Sequence, residues 1–299
     1  MIKYSKKVLK ARQANKPIVA LESTIITHGL PSPINLQMAE EVEAIIEKEG
    51  ATPATIAIID GVIHVGLEKE ELETLSQSDA LKASRSDLSY IIANKKTAST
   101  TVAATMIIAK MAGIKVFVTG GIGGVHHHYK DILDVSADLE ELAKTDVCVV
   151  CAGPKAILDL PKTIEYLETK GVPVIGYQTD ELPAFYSRES GIKLTLRLDT
   201  PKAIANMIKA QEKLSIQTGI LVANPISTDA EIKKEVMDTY IKAALKAAEK
   251  NDIKGKALTP FLLETLKDMT KGASLKANLA LVYNNAKLGA RISLSLCTS

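Results

Sequence analysis

Short runs of β-branched and aliphatic residues, bounded by glycine, proline and charged residues, alternate along this chain with longer stretches whose apolar positions recur at helical spacing. The runs predict strands at residues 17–23 (PIVALES), 54–66 (ATIAIIDGVIHVG), 115–121 (KVFVTGG), 147–153 (VCVVCAG), 172–178 (VPVIGYQ) and 219–225 (GILVANP). The helical stretches predict helices at 34–48, 100–111, 139–144, 156–170 and 201–215. No repeat period is visible. Strand and helix in alternation imply an α/β fold, three-layered α/β/α, with a largely parallel or mixed central sheet covered on both faces. The last part of the chain changes character. Residues 228–231 form a possible capping box ahead of an amphipathic helix at 230–250, and further helices are predicted at 260–270 and 274–290. Residues 1–299 are therefore read as one domain, with a surface helix at 1–16 and a helical segment at 228–299 packed on the core.

Composition sharpens this picture in three ways. Hydrophobic residues make up 46% and aromatics only 4%, so the core must be built from Ala, Val, Ile and Leu, as helices on a parallel sheet require. The net charge of +2, from 37 basic and 35 acidic residues, argues against a nucleic-acid or membrane-surface footprint, so any positive patch is local and suited to a small anion. Cys148 and Cys151 lie three apart in one predicted strand and so point to opposite faces, which makes reduced core thiols the better reading than a disulfide or a shared metal. The basic start of the chain lacks the apolar stretch of a signal peptide, and no run reaches the ~18 apolar residues of a membrane span, so a cytoplasmic location is expected.

Ligands of such sheets sit beyond the carboxyl ends of the strands. Gly120, Gly121, Gly123 and Gly124 follow one predicted strand, where they free the backbone to turn and to bring N–H groups near an anion; a plain strand-to-loop turn reads the same way. No Lys-Ser or Lys-Thr follows, so this is not a nucleotide P-loop. Glu22 stands where the first predicted strand stops. Lys82, Ser84 and Arg85 offer cations and a hydroxyl suited to phosphate, and Thr100 and Thr101 open a helix. Asp134, Ser136 and Asp138 are spaced by two, so an extended backbone aims them to one side; alternatively Asp138 caps the short helix LEEL. The triplet His126, His127, His128 hints at a metal, although adjacent histidines rarely share one ion. Lys155 follows a buried strand, a position that can supply the desolvation or neighbouring cation a nucleophilic lysine needs.

Several long blocks, among them ALESTIITHGLPSP, GATPATIAIIDGVIHVGL, TVAATMIIAKMAGIKVFVTGGIGGVH, DVSADLEEL, VVCAGPKAILDL and GKALTPFLLETLKDMTKGASLKANLALVYNNA, closely resemble the pseudouridine-5'-phosphate glycosidases, also described as indigoidine synthase A-like. The resemblance runs from about residue 17 to 288. It implies reversible cleavage of the carbon–carbon glycosidic bond of pseudouridine 5'-phosphate to uracil and ribose 5-phosphate. It further implies Lys155 as a Schiff-base nucleophile, Glu22 as proton donor and acceptor, and Asp134 as ligand of a divalent ion, usually manganese (Mn2+), completed by waters. Lys82, Val102, Ser136, Ala137 and Asp138 match its substrate-contacting positions, with His126 and Asn278 as additional contacts. A homotrimer is implied as well. The chain departs from the family pattern at Ser86, at Pro154, at His127 and His128, and over its last nine residues. Two other readings of the residues stay open: a Schiff-base aldolase or lyase acting on another phosphosugar, and a phosphosugar-binding protein without catalysis.

Overall fold

The structure, a computed structural model, describes residues 2–127, 133–253 and 255–298. Eleven strands occur among the described residues: β1 (Ile2–Tyr4), β2 (Ile18–Leu21), β3 (Thr52–Ile59), β4 (Val62–Val65), β5 (Leu81–Ala83), β6 (Ala98–Thr100), β7 (Val116–Val118), β8 (Cys148–Cys151), β9 (Val174–Tyr177), β10 (Leu196–Leu198) and β11 (Ile220–Ala223). Seven form a parallel sheet in the order β3-β2-β7-β8-β11-β9-β10. The mixed architecture expected from the strand–helix alternation is the one observed.

Strand β3 serves two sheets. Its first half pairs parallel with β2, and its second half pairs antiparallel with β4 and β6, which brings β1 and β5 alongside. The stretch 54–66, expected as one strand, is thus two strands and a hairpin. Asp60 and Gly61 both take positive φ (49° and 75°), as a two-residue hairpin turn demands.

Side chains of the central strands alternate between two cores. Val116, Val118, Cys148 and Val150 pack on one face, and Phe117, Val149 and Cys151 on the other. The two cysteines are therefore buried, unpaired and on opposite faces, as expected, and burial pushes both thiols up to about 12, which makes them inert. On the first face the helix Ala273–Cys297 lies against β2, β7 and β8, flanked by helices Ile34–Lys48 and Pro201–Lys213. On the second face the helix Val102–Met111 packs against β2, β4 and β7.

Several helix starts differ from the expected ones. Helix Leu160–Thr169 begins four residues late because Asp159 caps it, accepting from the Lys162 amide at 3.1 Å. The helix expected from residue 230 runs Lys234–Lys250, because Glu231 does not cap it: its carboxylate instead receives the Arg188 amide at 3.0 Å and the Lys233 ammonium. The amino terminus contributes β1 before its helix Lys6–Gln13.

Candidate active site

The carboxyl ends of β2, β7 and β8 lie side by side and deliver Glu22, Thr119 to Gly121, and Lys155 to one cavity of about 70 Å³. Backbone bonds knit the two loops together: Ile122 N–H donates to Gly153 O at 3.2 Å, and Lys155 N–H donates to Ile122 O at 3.0 Å. The Lys155 Nζ donates to Gly121 O at 3.4 Å, and the Thr119 hydroxyl donates to Glu22 Oε1. Lys82, from β5 of the smaller sheet, and Asn278, from the helix Ala273–Cys297, line the same cavity. Four of the residues expected from the sequence are thus brought together. A second cavity of about 220 Å³ adjoins it, sharing His28, Gly29, Pro260, Leu263 and Asn278.

Burial raises the Glu22 pKa above the ordinary carboxylate value, against the opposing pull of Lys155, the Thr119 hydrogen bond and Lys82; the charge of Asp138 adds to the rise. Glu22 therefore keeps a proton to higher pH than a solvated glutamate. Burial, then the Lys82 charge, lowers the pKa of His28. Asn278 Oδ1 is buried without a hydrogen-bond partner among the described residues, an acceptor at the cavity wall.

The other expected residues gather around Asp138. Helix Ala137–Leu142 starts at this point with Ser136 as its cap, so the extended alternation of Asp134, Ser136 and Asp138 ends at Ser136, and Asp138 is not the cap. The Asp138 carboxylate instead receives the Gly123 amide at 2.8 Å and the Ala103 amide at 3.0 Å, tying the glycine loop to the start of the Val102–Met111 helix. The anion that the glycine loop receives is thus the chain's own. No glycine from 120 to 124 has positive φ. Their smallness serves close approach: a Cβ on Gly123 would strike Ser136 Oγ, and one on Gly121 would lie 2.5 Å from the Phe185 ring. Asp138→Ala strips the acceptor from two backbone amides, and we expect it to destabilise the fold by about 3 kcal/mol in urea unfolding.

Thr101 caps the Val102–Met111 helix, accepting from the Ala104 amide at 3.4 Å, which leaves Val102 at the first helical position, where an N–H has no intrahelical acceptor. Arg85, expected at a phosphate, is instead ion-paired with the buried Glu141, which also accepts from Thr145. Neither Arg85 nor Ser84 lines the cavity.

His126 and Asp134 face each other across a short antiparallel bridge, with His126 Nδ1 4.0 Å from Asp134 Oδ2. His128 lies outside the described residues. Among the described residues no group of three His, Cys, Asp or Glu side chains could enclose a metal. The single Asp134 carboxylate, 30% exposed, fits a hard cation held mostly by water. The pattern along the chain did not single out Thr119, His28 or Phe185; their place in the lining of this cavity marks them.

A lysine and a proton-retaining carboxyl at the ends of β8 and β2, on either side of β7, with a second lysine in the same cavity, form an α/β site that can serve carbonyl or sugar chemistry on an anionic ligand. The chain belongs to the indigoidine synthase A-like family, whose model matches residues 7–295. It is 59% identical over 293 residues to the pseudouridine-5'-phosphate glycosidase of Petrotoga mobilis, spanning 98% of this chain and 96% of that one. It is 56% identical over 296 residues to the Staphylococcus aureus protein of the same name, with 99% and 96% covered. Two crystal structures share the fold across 99% of this chain and 97% of their own. One is an indigoidine synthase A-like protein from Thermotoga maritima (TM-score 0.90, 33% identity), the other the prealnumycin C-glycosynthase AlnA in complex with ribulose 5-phosphate (TM-score 0.92, 35% identity).

Proposed function

We propose that this chain is a pseudouridine-5'-phosphate glycosidase that cleaves the carbon–carbon bond between uracil and ribose 5-phosphate, reversibly. The observation that carries the reading is the pairing of Lys155 with Glu22 across the end of β7 in one cavity. The names of the relatives support it, and the ribulose 5-phosphate bound by AlnA supports a phosphosugar as ligand.

A C-glycoside has no leaving oxygen to protonate, so paired-carboxylate glycosidase chemistry does not apply. The alternative is an electron sink on the sugar. Glu22 protonates the ring oxygen as the C1'–O4' bond breaks, and the Lys155 amine bonds to C1' and gives up one N–H proton to water, which restores its lone pair. The lysine nitrogen lone pair then forms a C1'=N iminium while the bond from C1' to uracil C5 breaks, and C5 takes a proton supplied through Glu22. Water hydrolyses the iminium to ribose 5-phosphate and frees Lys155. Lys82 supplies positive charge to the phosphosugar, and Asn278 Oδ1 offers an acceptor to a uracil N–H. Val102, His126 and the 136–138 segment complete the substrate contacts in this reading. A Mn2+ ion on Asp134 would supply fixed positive charge for the substrate's anionic groups. A cytoplasmic homotrimer belongs to the same proposal, supported by the family resemblance of the sequence blocks. Among the described residues no helix is long and apolar enough to cross a membrane.

The direct test is uracil release from pseudouridine 5'-phosphate. We expect turnover with Mn2+ present and a large loss on chelation that Mn2+ restores. Release of a different product from another phosphosugar, with pseudouridine 5'-phosphate untouched, would replace this reading by an aldolase or lyase.

A further inference from the structure

Beside the reaction cavity, sharing Glu22, Ile25, Thr119 and Gly120 with it, lies a small cavity of about 20 Å³, large enough for one water. Its walls include Glu22, Thr55 and Thr119, with Met38, Val42 and Val282 closing it from the helices. Thr55 sits in β3 directly beside Leu21 of β2, the residue before Glu22. Its hydroxyl donates to Glu43 Oε1 at 2.5 Å, and Glu43 belongs to the helix Ile34–Lys48. The neighbouring Glu40 and Glu47 are solvent-exposed, as is Lys7, which pairs with Glu47. A polar line therefore runs from Glu22 through the cavity to Thr55, Glu43 and the solvent-exposed rim. Nothing in the reaction as derived uses Thr55 or Glu43.

We propose that Thr55 and Glu43 form a proton relay that reloads Glu22 through one water in this cavity. The inference rests on the reaction proposed above, in which the substrate fills the reaction cavity while Glu22 gives up protons. In the forward step the Glu43 carboxyl passes its proton to Thr55 Oγ. The Thr55 hydroxyl proton moves to the water, and a water proton moves to the Glu22 carboxylate. Only O–H bonds form and break, and the net change is one proton moved from Glu43 to Glu22.

The electrostatics suit the step. Burial raises the Glu43 pKa, opposed by the Thr55 hydrogen bond and by Lys7 from the helix Lys6–Gln13, and reinforced by Glu47 and Glu40 of its own helix. Glu22, facing Lys155, Lys82, Asp138 and Thr119, is shifted in the same direction and for the same leading cause. Both carboxyls are thus displaced toward holding a proton, the state a donor in such a relay needs.

The test compares wild type with Glu43→Gln, Thr55→Val and Thr55→Ser in uracil release, measured in H2O and D2O across pH. We expect Glu43→Gln and Thr55→Val to lower kcat about tenfold with KM unchanged, short of the ~10²–10⁴ that a general acid itself supplies. The solvent isotope effect on kcat should rise in both, and Thr55→Ser should restore the rate. Wild-type rates in the first two variants overturn the relay. So does a lower kcat with an unchanged isotope effect, which would make Thr55 and Glu43 packing groups. Should wild type itself release no uracil, the reaction is wrong, and the relay is read instead from the carboxyl bands in an infrared titration. Glu43→Gln then removes one band and shifts that of Glu22 if the two are coupled; an unshifted Glu22 band overturns the relay.

Discussion

Lys155→Ala is expected to abolish uracil release from pseudouridine 5'-phosphate, a loss of at least ~10⁴-fold in kcat by analogy with the removal of other covalent nucleophiles. The size follows from the chemistry: without an amine at C1' the carbon–carbon bond has no electron sink. The loss should not be one of folding. Among the described residues the Lys155 Nζ makes one hydrogen bond, at 3.4 Å to Gly121 O, while its backbone N–H to Ile122 O and its carbonyl to the Leu158 amide hold the loop whatever the side chain. The change should cost about 1 kcal/mol or less of stability. Reduction with borohydride in the presence of ribose 5-phosphate should attach the sugar phosphate to Lys155, visible as a mass increase on its peptide, and Lys155→Ala should stay unmodified. Undiminished uracil release by Lys155→Ala would end the covalent mechanism. Labelling of a different lysine in the wild type would move it elsewhere.

The same residues show what could be read from the chain and what could not. The central strands were legible because both of their faces are buried, so β7 and β8 read as unbroken apolar runs, and Glu22 and Lys155 stood out as charges where such runs stop. Strands β5 and β6 were not legible. Each is three residues long, LKA and AST, too short to show a period; the second half of β3 offers an edge to β6, and β6 in turn to β5. That is why Lys82 could be proposed as a phosphate group by its charge but not placed beside Glu22 by its pattern. Arg85 looked equally suitable, and its distance in sequence from Glu141 hid the ion pair that withdraws it. The glycine loop was legible as an anion receptor, but which anion it receives was decided by a tertiary contact, the Asp138 carboxylate. The first turn at residues 228–231 failed in a similar way, because Glu231 finds Arg188 and Lys233 and leaves the helix to begin later.

Glu22→Gln is expected to move activity and stability in opposite directions. Loss of the proton carrier should lower kcat by ~10²–10⁴-fold. Gln keeps an oxygen to accept from Thr119, so the fold around it persists. The sign of the stability change follows from linkage. A carboxyl whose pKa is higher folded than unfolded favours folding while protonated; that contribution is full below the unfolded value and is lost as pH rises through the folded value. For Glu22 the window opens above its ordinary value of 4.5, because burial outweighs Lys155, Thr119 and Lys82. Gln is neutral throughout. Thermal midpoints of the variant and the wild type should therefore nearly coincide at the acid end and separate with rising pH, the variant becoming the more stable enzyme. Melting curves from pH 4 to 8 measure this directly. A variant less stable than wild type at pH 8 would mean that the attraction between Glu22 and Lys155 exceeds the cost of burying the carboxylate. Glu22 would then rest as an anion paired with the lysine, unable to deliver the proton that ring opening requires.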